Sequence, residues 1–286
     1  MKKILLFLLL LGCLFSCSEE NMEPYQRQAE EELTDEVDKW FYENLQKPYN
    51  CVVRWKWDDN YVSINYYVTP PRKSIMIPVG EMIKTFWVEP FIEAGGEDFI
   101  KEHFPPEIVC VGSPLYNSDG TITAGYADSG VRITLTELNN YDLHDESWVL
   151  SQLQTIHHEF THIIHQRHGL PEGWEILSEE FYTGNSWINL EEEDAISRGM
   201  VSNYATSSKY EDFADFVGIF LTTDETSFTS KYLTLMDETA SDYDGLNAGR
   251  QILITKYDMM VNYYKSNFGI DIVKLRDIIL SRLEEV

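Results

Sequence analysis

The sequence predicts an α+β fold, in which a mixed, mostly antiparallel sheet precedes a helical C-terminal half. Between residues 51 and 135, short segments alternate apolar and polar residues, as half-buried strands do. From residue 145 onward, apolar residues recur at spacings of three and four, the period of an amphipathic helix. Hydrophobic residues make up 43% of the chain, which is sufficient for a packed core. We predict one domain over residues 33–286.

The chain begins with a predicted export signal. A basic start is followed by an apolar run at residues 4–14, which is too short to span a membrane, and then by Ser16 and Cys17. This order resembles a bacterial lipoprotein signal, in which Cys17 becomes the lipidated first residue. Cleavage at Cys13 is one alternative, and secretion without a lipid is another. We therefore predict a signal peptide over residues 1–16.

Charge and cysteine content limit the classes of partner. Residues 17–32 are rich in Glu and Gln and lack an apolar rhythm, so they predict a flexible tether behind the lipidated cysteine. A formal net charge of -26 argues against nucleic acid as a partner, because phosphate binding needs a basic surface. Cys51 and Cys110 remain in the predicted domain. We interpret them as buried free thiols, although export also permits a disulfide.

The predicted elements before residue 145 alternate between helix and strand. An amphipathic helix covers residues 33–46 and ends at Lys47-Pro48. Residues 51–57 and 61–68 lie on either side of a polar turn and predict a hairpin. The other elements predicted in this part are a helix over residues 80–91, strands over residues 107–112, 121–126 and 131–135, and a turn over residues 127–130.

The next predicted helix carries the sequence His158-Glu159-Phe160-Thr161-His162. Asp145 suits its N-cap, and Gly169 suits its end. Because the two histidines are four residues apart, they share one helix face and can reach one metal ion. Glu159 follows the first histidine and is placed to take a proton from a water molecule on zinc. The sequence therefore predicts a zinc site with Glu159 as its general base.

A catalytic zinc ion needs a third protein ligand, and the sequence offers several. His168 would complete the metzincin pattern, but His165 occupies the position of the glycine that turns the chain there. Glu211 and Asp215 have the E-x-x-x-D spacing of gluzincins, in which the glutamate binds zinc and the later acid holds a ligand histidine. We predict Glu211 as the ligand and Asp215 as the supporting acid, with Asp212 as the alternative ligand.

Two further candidates lie downstream of the histidines. Glu179 and Glu180 form an acidic pair, but neither is followed four residues later by an acid, and we interpret them as a solvated face. Several gluzincins carry a tyrosine shortly before the ligand glutamate, and its hydroxyl stabilises the oxyanion of the tetrahedral intermediate. Tyr204 fits that position, and the alternative for Tyr204 is a packing or surface role.

A mixed sheet whose last strand leads into an H-E-x-x-H helix, followed by a helical half, is the zincin arrangement. In such folds the metal lies in a cleft between the halves. We predict that residues 131–135 form the edge strand along this cleft, on which a substrate backbone can pair.

Several stretches together resemble a known family, the substrate-import-associated zinc metallohydrolase lipoproteins, which are classed as zinc-binding metallopeptidases. The stretches that carry the resemblance are the lipoprotein signal, Pro48-Tyr49-Asn50, Trp87-Val88-Glu89-Pro90, residues 157–166 and residues 211–215. The resemblance extends over nearly the whole chain. It implies a gluzincin-like fold, association with TonB-dependent importers of the SusC/SusD kind, and an outer-membrane location on the periplasmic or cell-surface face.

The sequence as a whole predicts a lipid-anchored zinc metallopeptidase that hydrolyses peptide or protein substrates. In this prediction His158, His162 and Glu211 bind zinc, Glu159 takes the proton from water, Tyr204 stabilises the oxyanion, and Asp215 orients a ligand histidine. One alternative is a non-catalytic accessory lipoprotein that binds substrate for an importer. Another is hydrolysis of a different amide bond, such as one in a glycopeptide or cell wall.

Overall fold

The computed structural model describes residues 33–285, except residues 59, 64, 118–121, 124–126, 129–130, 238 and 240–242. The predicted signal peptide, the tether and the lipidation site at Cys17 lie outside the described residues. Residues Val37–Val286 form one compact unit. It combines helices with two small sheets, which confirms the predicted α+β class, and helices predominate.

Among the described residues, seven short strands form the two sheets. They are β1 (Val52–Arg54), β2 (Tyr66–Tyr67), β3 (Glu107–Cys110), β4 (Leu115–Asn117), β5 (Ile122–Thr123), β6 (Ala127–Asp128) and β7 (Arg132–Leu135). One sheet has the order β1-β3-β7-β6, and the other has the order β2-β4-β5.

Most of the other described residues are helical. The α-helices are α1 (Glu36–Phe41), α2 (Lys47–Tyr49), α3 (Lys73–Ile83), α4 (Glu89–Gly95), α5 (Glu97–His103), α6 (Glu146–His168), α7 (Glu192–Ser197), α8 (Lys209–Leu221), α9 (Glu225–Phe228), α10 (Tyr243–Phe268) and α11 (Ile272–Leu283). Wider π-helical turns occur at Tyr42–Gln46, Lys84–Val88 and Thr229–Leu233, and 3₁₀ segments at Leu138–Asn140, Glu175–Phe181, Gly184–Asn189 and Tyr204–Ser207. Within the described ranges, no helix has both the length and the apolar character needed to cross a bilayer.

The strand directions differ between the two sheets. In the four-stranded sheet, β1 pairs with β3 and β3 with β7 in parallel, and only β6 pairs antiparallel with β7. The prediction of a mostly antiparallel sheet is therefore wrong for this sheet, whereas the three-stranded sheet is antiparallel. Parallel neighbours need a long crossover, and α3, α4 and α5 provide one between β1 and β3.

Two predictions of strand pairing are also wrong. The strand predicted at residues 131–135 is not an edge strand, because β7 pairs with β3 on one side and with β6 on the other. The edge beside it is β6, which uses the first two residues of the predicted turn at residues 127–130. The predicted hairpin does not form either, since β1 pairs with β3 while β2 pairs with β4 in the other sheet. Just after β1, the indole N–H of Trp55 donates a hydrogen bond to Asp38 in α1 at 2.8 Å.

Other elements follow the predicted pattern. The helix predicted over residues 33–46 corresponds to α1 and the π-turn after it, and the helix predicted over residues 80–91 lies within α3, a π-turn and α4. That second π-turn ends just before Pro90, which has no N–H group to donate to the preceding turn. Cys51 and Cys110 are free and buried, which confirms their interpretation as thiols.

An aromatic cluster fixes the orientation of α6. The ring of Phe160, on the buried side of this helix, meets Trp87 with centroids 5.3 Å apart and Phe91 with centroids 5.2 Å apart, both nearly edge-on. Burial of one such side chain stabilises a fold by about 1.5–3 kcal/mol, and edge-to-face pairs add about 0.5–1.5 kcal/mol each. Because Phe160 lies between the two histidines in sequence, its packing also sets the direction in which they point.

The long helix α10 approaches α7 very closely at Gly249. A Cβ atom on Gly249 would overlap the backbone carbonyl oxygen of Ile196, which cannot rotate away as a side chain can. We expect Gly249→Ala to destabilise the fold by about 1–3 kcal/mol, the usual range for overpacking. The measurement is the urea midpoint of the mature chain.

Gly245 in the same helix provides the matched control. A Cβ atom there meets nothing within 4 Å, so Gly245→Ala should leave stability unchanged or raise it by up to about 1 kcal/mol. Equal urea midpoints for Gly249→Ala and the unmodified chain would contradict the described spacing of α7 and α10.

Candidate metal centre

Helix α6 places the two histidines of the motif on one side. Asp145 caps the helix by accepting a hydrogen bond from the backbone N–H of Trp148 at 3.1 Å, and the helix continues without interruption to His168. It ends at Gly169, whose φ of 80° suits glycine. His158 and His162 lie one turn apart on this rigid element.

The ligand atoms of His158, His162 and Glu211 form a nearly equilateral triangle. The two histidine Nε2 atoms are 3.0 Å apart, and each lies 3.1 Å from Oε2 of Glu211. The ligand atoms of a tetrahedral zinc ion lie about 3.3 Å apart, given bond lengths of about 2.0–2.1 Å. The triangle is therefore close to the size that a zinc ion requires, and its nitrogen and oxygen donors are the types that zinc accepts.

Glu159 lies near this triangle without being part of it. Ligand atoms of His158, Glu159 and His162 all lie within 4.8 Å of one another. Oε2 of Glu211 lies 3.1 Å from each imidazole Nε2, so Glu211 supplies the oxygen that closes the triangle. The carboxylate of Glu159 is buried beside the site, where it can reach a water molecule on the metal.

Helix α8 brings Glu211 and Asp215 to the histidines. Ser208 caps α8 by accepting a hydrogen bond from the backbone N–H of Glu211 at 3.3 Å. One turn later, Oδ1 of Asp215 lies 2.7 Å from Nδ1 of His158, and Oδ2 accepts a hydrogen bond from the hydroxyl of Ser202. A proton on Nδ1 of His158 leaves the Nε2 lone pair facing the metal position.

His165 provides the equivalent support for His162. Nε2 of His165 lies 2.8 Å from Nδ1 of His162, and the His165 ring stacks on Tyr210 with centroids 5.2 Å apart. Burial lowers the pKa of His165 to about 4, so its ring is neutral at pH 7 and its Nε2 can accept a hydrogen bond from the Nδ1–H group of His162. From the sequence, His165 lies on the same helix face as the motif histidines, which left contact with the site or exposure to solvent as its two roles, and the structure shows the contact.

Opposing effects act on the protonation of His158 and Glu211. Burial lowers the pKa of His158, but hydrogen bonds to Asp215 and Glu211 outweigh burial and raise it to about 10. Burial raises the pKa of Glu211, and the hydrogen bonds from both histidines outweigh it and lower that pKa below its usual range. A proton and a metal ion compete for the Nε2 lone pair of His158, so metal affinity falls as the pH falls.

Tyr204 stands at the rim of the triangle. Its ring centroid is 6.0 Å from that of His158. Burial, together with the negative charges of Glu211, Asp215 and Glu159, raises the pKa of Tyr204. The hydroxyl therefore keeps its proton near neutral pH and can donate it in a hydrogen bond.

The alternative ligand Asp212 faces away from the metal position. It is fully buried, and its Oδ2 accepts hydrogen bonds from Trp174 at 3.0 Å, Tyr182 at 2.8 Å and Lys256 at 2.6 Å. Lys256 is equally buried and also donates to the carbonyl of Gly199. The alternative of Asp212 as the ligand is therefore wrong, and this residue instead ties α8 to α10.

Three other candidates from the sequence lie outside the triangle. Nε2 of His168 lies 2.8 Å from Nε2 of His103. Helix α6 continues to His168 without the turn that the metzincin pattern requires, so His168 lies outside the triangle. Glu179 and Glu180 are exposed in the 3₁₀ segment Glu175–Phe181.

A cavity of about 760 Å³ opens beside the triangle. Its wall includes the triangle members His162 and Glu211, and residues from the end of α6 and the loop after it, such as Leu170, Pro171 and Glu172. This volume is in the range of ordinary ligand sites and is sufficient for peptide side chains next to the metal position.

Gly218 allows α8 to approach α6 at the site. A Cβ atom there would lie 3.0 Å from the carbonyl oxygen of Gln154 and 3.3 Å from Cβ of His158. Gly218 lies seven residues after Glu211 and three after Asp215, so all three share one face of α8. Sequence reasoning missed Gly218, because a glycine inside a helix does not reveal its neighbour.

We expect Gly218→Ala to weaken zinc binding by about tenfold, because α8 must move by a few tenths of an ångström and carry Glu211 and Asp215 with it. Competition with a chromogenic chelator measures the zinc Kd, and circular dichroism monitors folding. Gly245→Ala is the control and should leave the Kd unchanged. A Kd for Gly218→Ala equal to that of the unmodified protein would contradict the role of this close approach.

Comparison with known proteins identifies the family. A family model described as "Putative zinc-binding metallo-peptidase" matches residues 30–273. A crystal structure described as "a putative zinc-binding metallo-peptidase" from Bacteroides caccae is 27% identical, with a TM-score of 0.71, and the match covers 90% of this chain and 95% of that one. The comparison with curated proteins finds no match. The chain therefore belongs to the family of these zinc-binding metallo-peptidases, which confirms Zn²⁺ as its predicted cofactor.

Proposed function

We propose that the protein is a zinc-dependent peptidase that hydrolyses peptide bonds at a gluzincin-like H-E-x-x-H site. The triangle of His158, His162 and Glu211, with sides of 3.0–3.1 Å and with Glu159 beside it, carries this proposal. The adjoining cavity supports it, since a substrate needs space next to the metal position.

Each residue has a defined part in the proposed reaction. When bound, zinc supplies a Lewis acid that activates a water molecule and polarises the scissile carbonyl group. Glu159 accepts the proton of that water and returns it to the departing amine. Tyr204 donates a hydrogen bond to the oxyanion that forms on the carbonyl oxygen. Asp215 and His165 hold the two imidazoles in the orientation that binding requires.

The competing proposal is a non-catalytic accessory protein that uses the metal only for structure. Holding a metal ion requires neither Glu159 nor Tyr204. Both nevertheless lie at the triangle, Glu159 within 4.8 Å of the histidine ligand atoms and Tyr204 in contact with His158. This arrangement favours the enzyme.

Two glutamate substitutions separate catalysis from metal binding. We expect Glu159→Gln to lower peptide hydrolysis by about 10²–10⁴-fold, because the general base is lost, while zinc content stays at that of the unmodified protein. Glu211→Gln removes a charged ligand and should instead weaken zinc binding. Mass spectrometry of a cleaved peptide library measures activity, and elemental analysis measures zinc.

Chelator treatment followed by zinc addition is the control for both variants. Activity of the unmodified protein should disappear and return. Cleavage that persists at full rate in Glu159→Gln would overturn the proposed mechanism, and an inactive unmodified protein with full zinc content would favour the accessory role.

We further propose that a lipid on Cys17 anchors the enzyme to the outer membrane, where it assists a TonB-dependent importer of the SusC/SusD kind. The sequence before Cys17 and the family resemblance support this proposal. Cys17→Ala should abolish incorporation of a labelled fatty acid, and globomycin should block processing of the unmodified precursor. Cys13→Ala is the matched control and should be labelled normally. Label retained in Cys17→Ala would contradict the assigned anchor.

A further inference from the structure

The position of Tyr204 requires more restraint than its own segment provides. Tyr204 is 38% exposed and begins the four-residue 3₁₀ segment Tyr204–Ser207. In the proposed reaction its hydroxyl must direct its single proton at the substrate oxyanion. Contacts of the ring must therefore hold the side chain in place during the reaction.

Among the described residues, the ring of Tyr204 has two aromatic neighbours, His158 and Trp187. His158 lies beside it at 6.0 Å between centroids, with the planes 35° apart. Trp187 meets it at 5.0 Å between centroids, with the planes 81° apart. This near-perpendicular geometry is the favoured edge-to-face arrangement of aromatic rings, so the Trp187 contact favours one orientation of the phenol.

Trp187 is itself held firmly relative to Tyr204. It belongs to the 3₁₀ segment Gly184–Asn189, and both flanks of this segment are bonded to residues around Tyr204. On one side, the backbone N–H of Thr183 donates to the carbonyl of Thr206 at 2.7 Å. On the other side, the amide of Asn203 donates to the carbonyl of Leu190 at 3.2 Å. The two segments therefore move together.

We propose that Trp187 is a positioning residue for Tyr204, whose ring it holds at the angle from which the hydroxyl reaches the developing oxyanion. This inference rests on the proposed peptidase function. Trp187 acts through Tyr204 and takes no part in metal binding, so its loss should lower kcat and leave KM and zinc affinity unchanged. Edge-to-face contacts of this kind correspond to a decrease in kcat of about three- to tenfold.

A double-mutant cycle on the zinc-loaded mature protein tests the inference. The probe is a quenched fluorescent peptide chosen from the library products. Trp187→Ala should lower kcat three- to tenfold, and Trp187→Phe should restore most of the loss. In the Tyr204→Phe background, Trp187→Ala should have no further effect. The same cycle should appear in the affinity of a phosphonamidate dipeptide measured by calorimetry, because its tetrahedral anion resembles the charge that Tyr204 stabilises.

Controls distinguish this role from a structural one. Ile188→Ala alters the neighbouring residue, which is 69% exposed, and should leave kcat unchanged. If Trp187→Ala does not fold, Trp187→Leu keeps an apolar side chain without the aromatic edge and takes its place in the cycle.

The outcomes separate failure of the inference from failure of the proposed function. An equal effect of Trp187→Ala in both backgrounds, or an effect on KM alone, would overturn the positioning role while activity dependent on Glu159 still stands. Full activity and full phosphonamidate affinity in Tyr204→Phe would remove the role of Tyr204 and this inference with it. Loss of the peptidase proposal requires a different result, namely no cleavage by the unmodified zinc-loaded protein.

Discussion

Close packing of α6 against α8 is the constraint on which the metal centre depends. Two ligand atoms come from one helix and the third from a helix that begins more than forty residues later, so the site exists only where the two surfaces meet. Gly218 permits the two helices to approach each other. This approach brings Glu211 to both imidazoles and Asp215 to His158. A bound metal ion joins the same elements, and its binding free energy therefore contributes to the stability of the helix pair.

A buried ion pair fixes α8 at Asp212, the residue that follows Glu211. Asp212 and Lys256 are both inaccessible to solvent, and Asp212 also accepts hydrogen bonds from Trp174 and Tyr182. The desolvation of two charges offsets much of their attraction, so such a pair adds little net stability, but loss of one partner is costly. These hydrogen bonds hold Asp212 in one orientation and connect it to Trp174 and Tyr182 in the segment that follows α6.

The local features of the site could be predicted from the sequence, because helical spacing acts over only a few residues. The spacing of His158 and His162, and that of Glu211 and Asp215, follow from 3.6 residues per turn. The contact between His165 and His162 depends on the same helical spacing, so it could also be predicted. The pairing of strands could not be predicted, because the pattern of residues 131–135 does not specify which strands lie next to β7. A parallel strand and an antiparallel strand show the same alternation of side chains.

The sequence by itself determined the α+β class, the helix that carries the motif and the acids with suitable spacing, because each depends on interactions between near neighbours. Only the tertiary structure decided that Glu211 rather than Asp212 faces the histidines and that His168 is excluded. It also decided that Tyr204 lies between His158 and Trp187. These outcomes depend on how far one helix can approach another and on which side chain satisfies a buried charge, and both are properties of the assembled core.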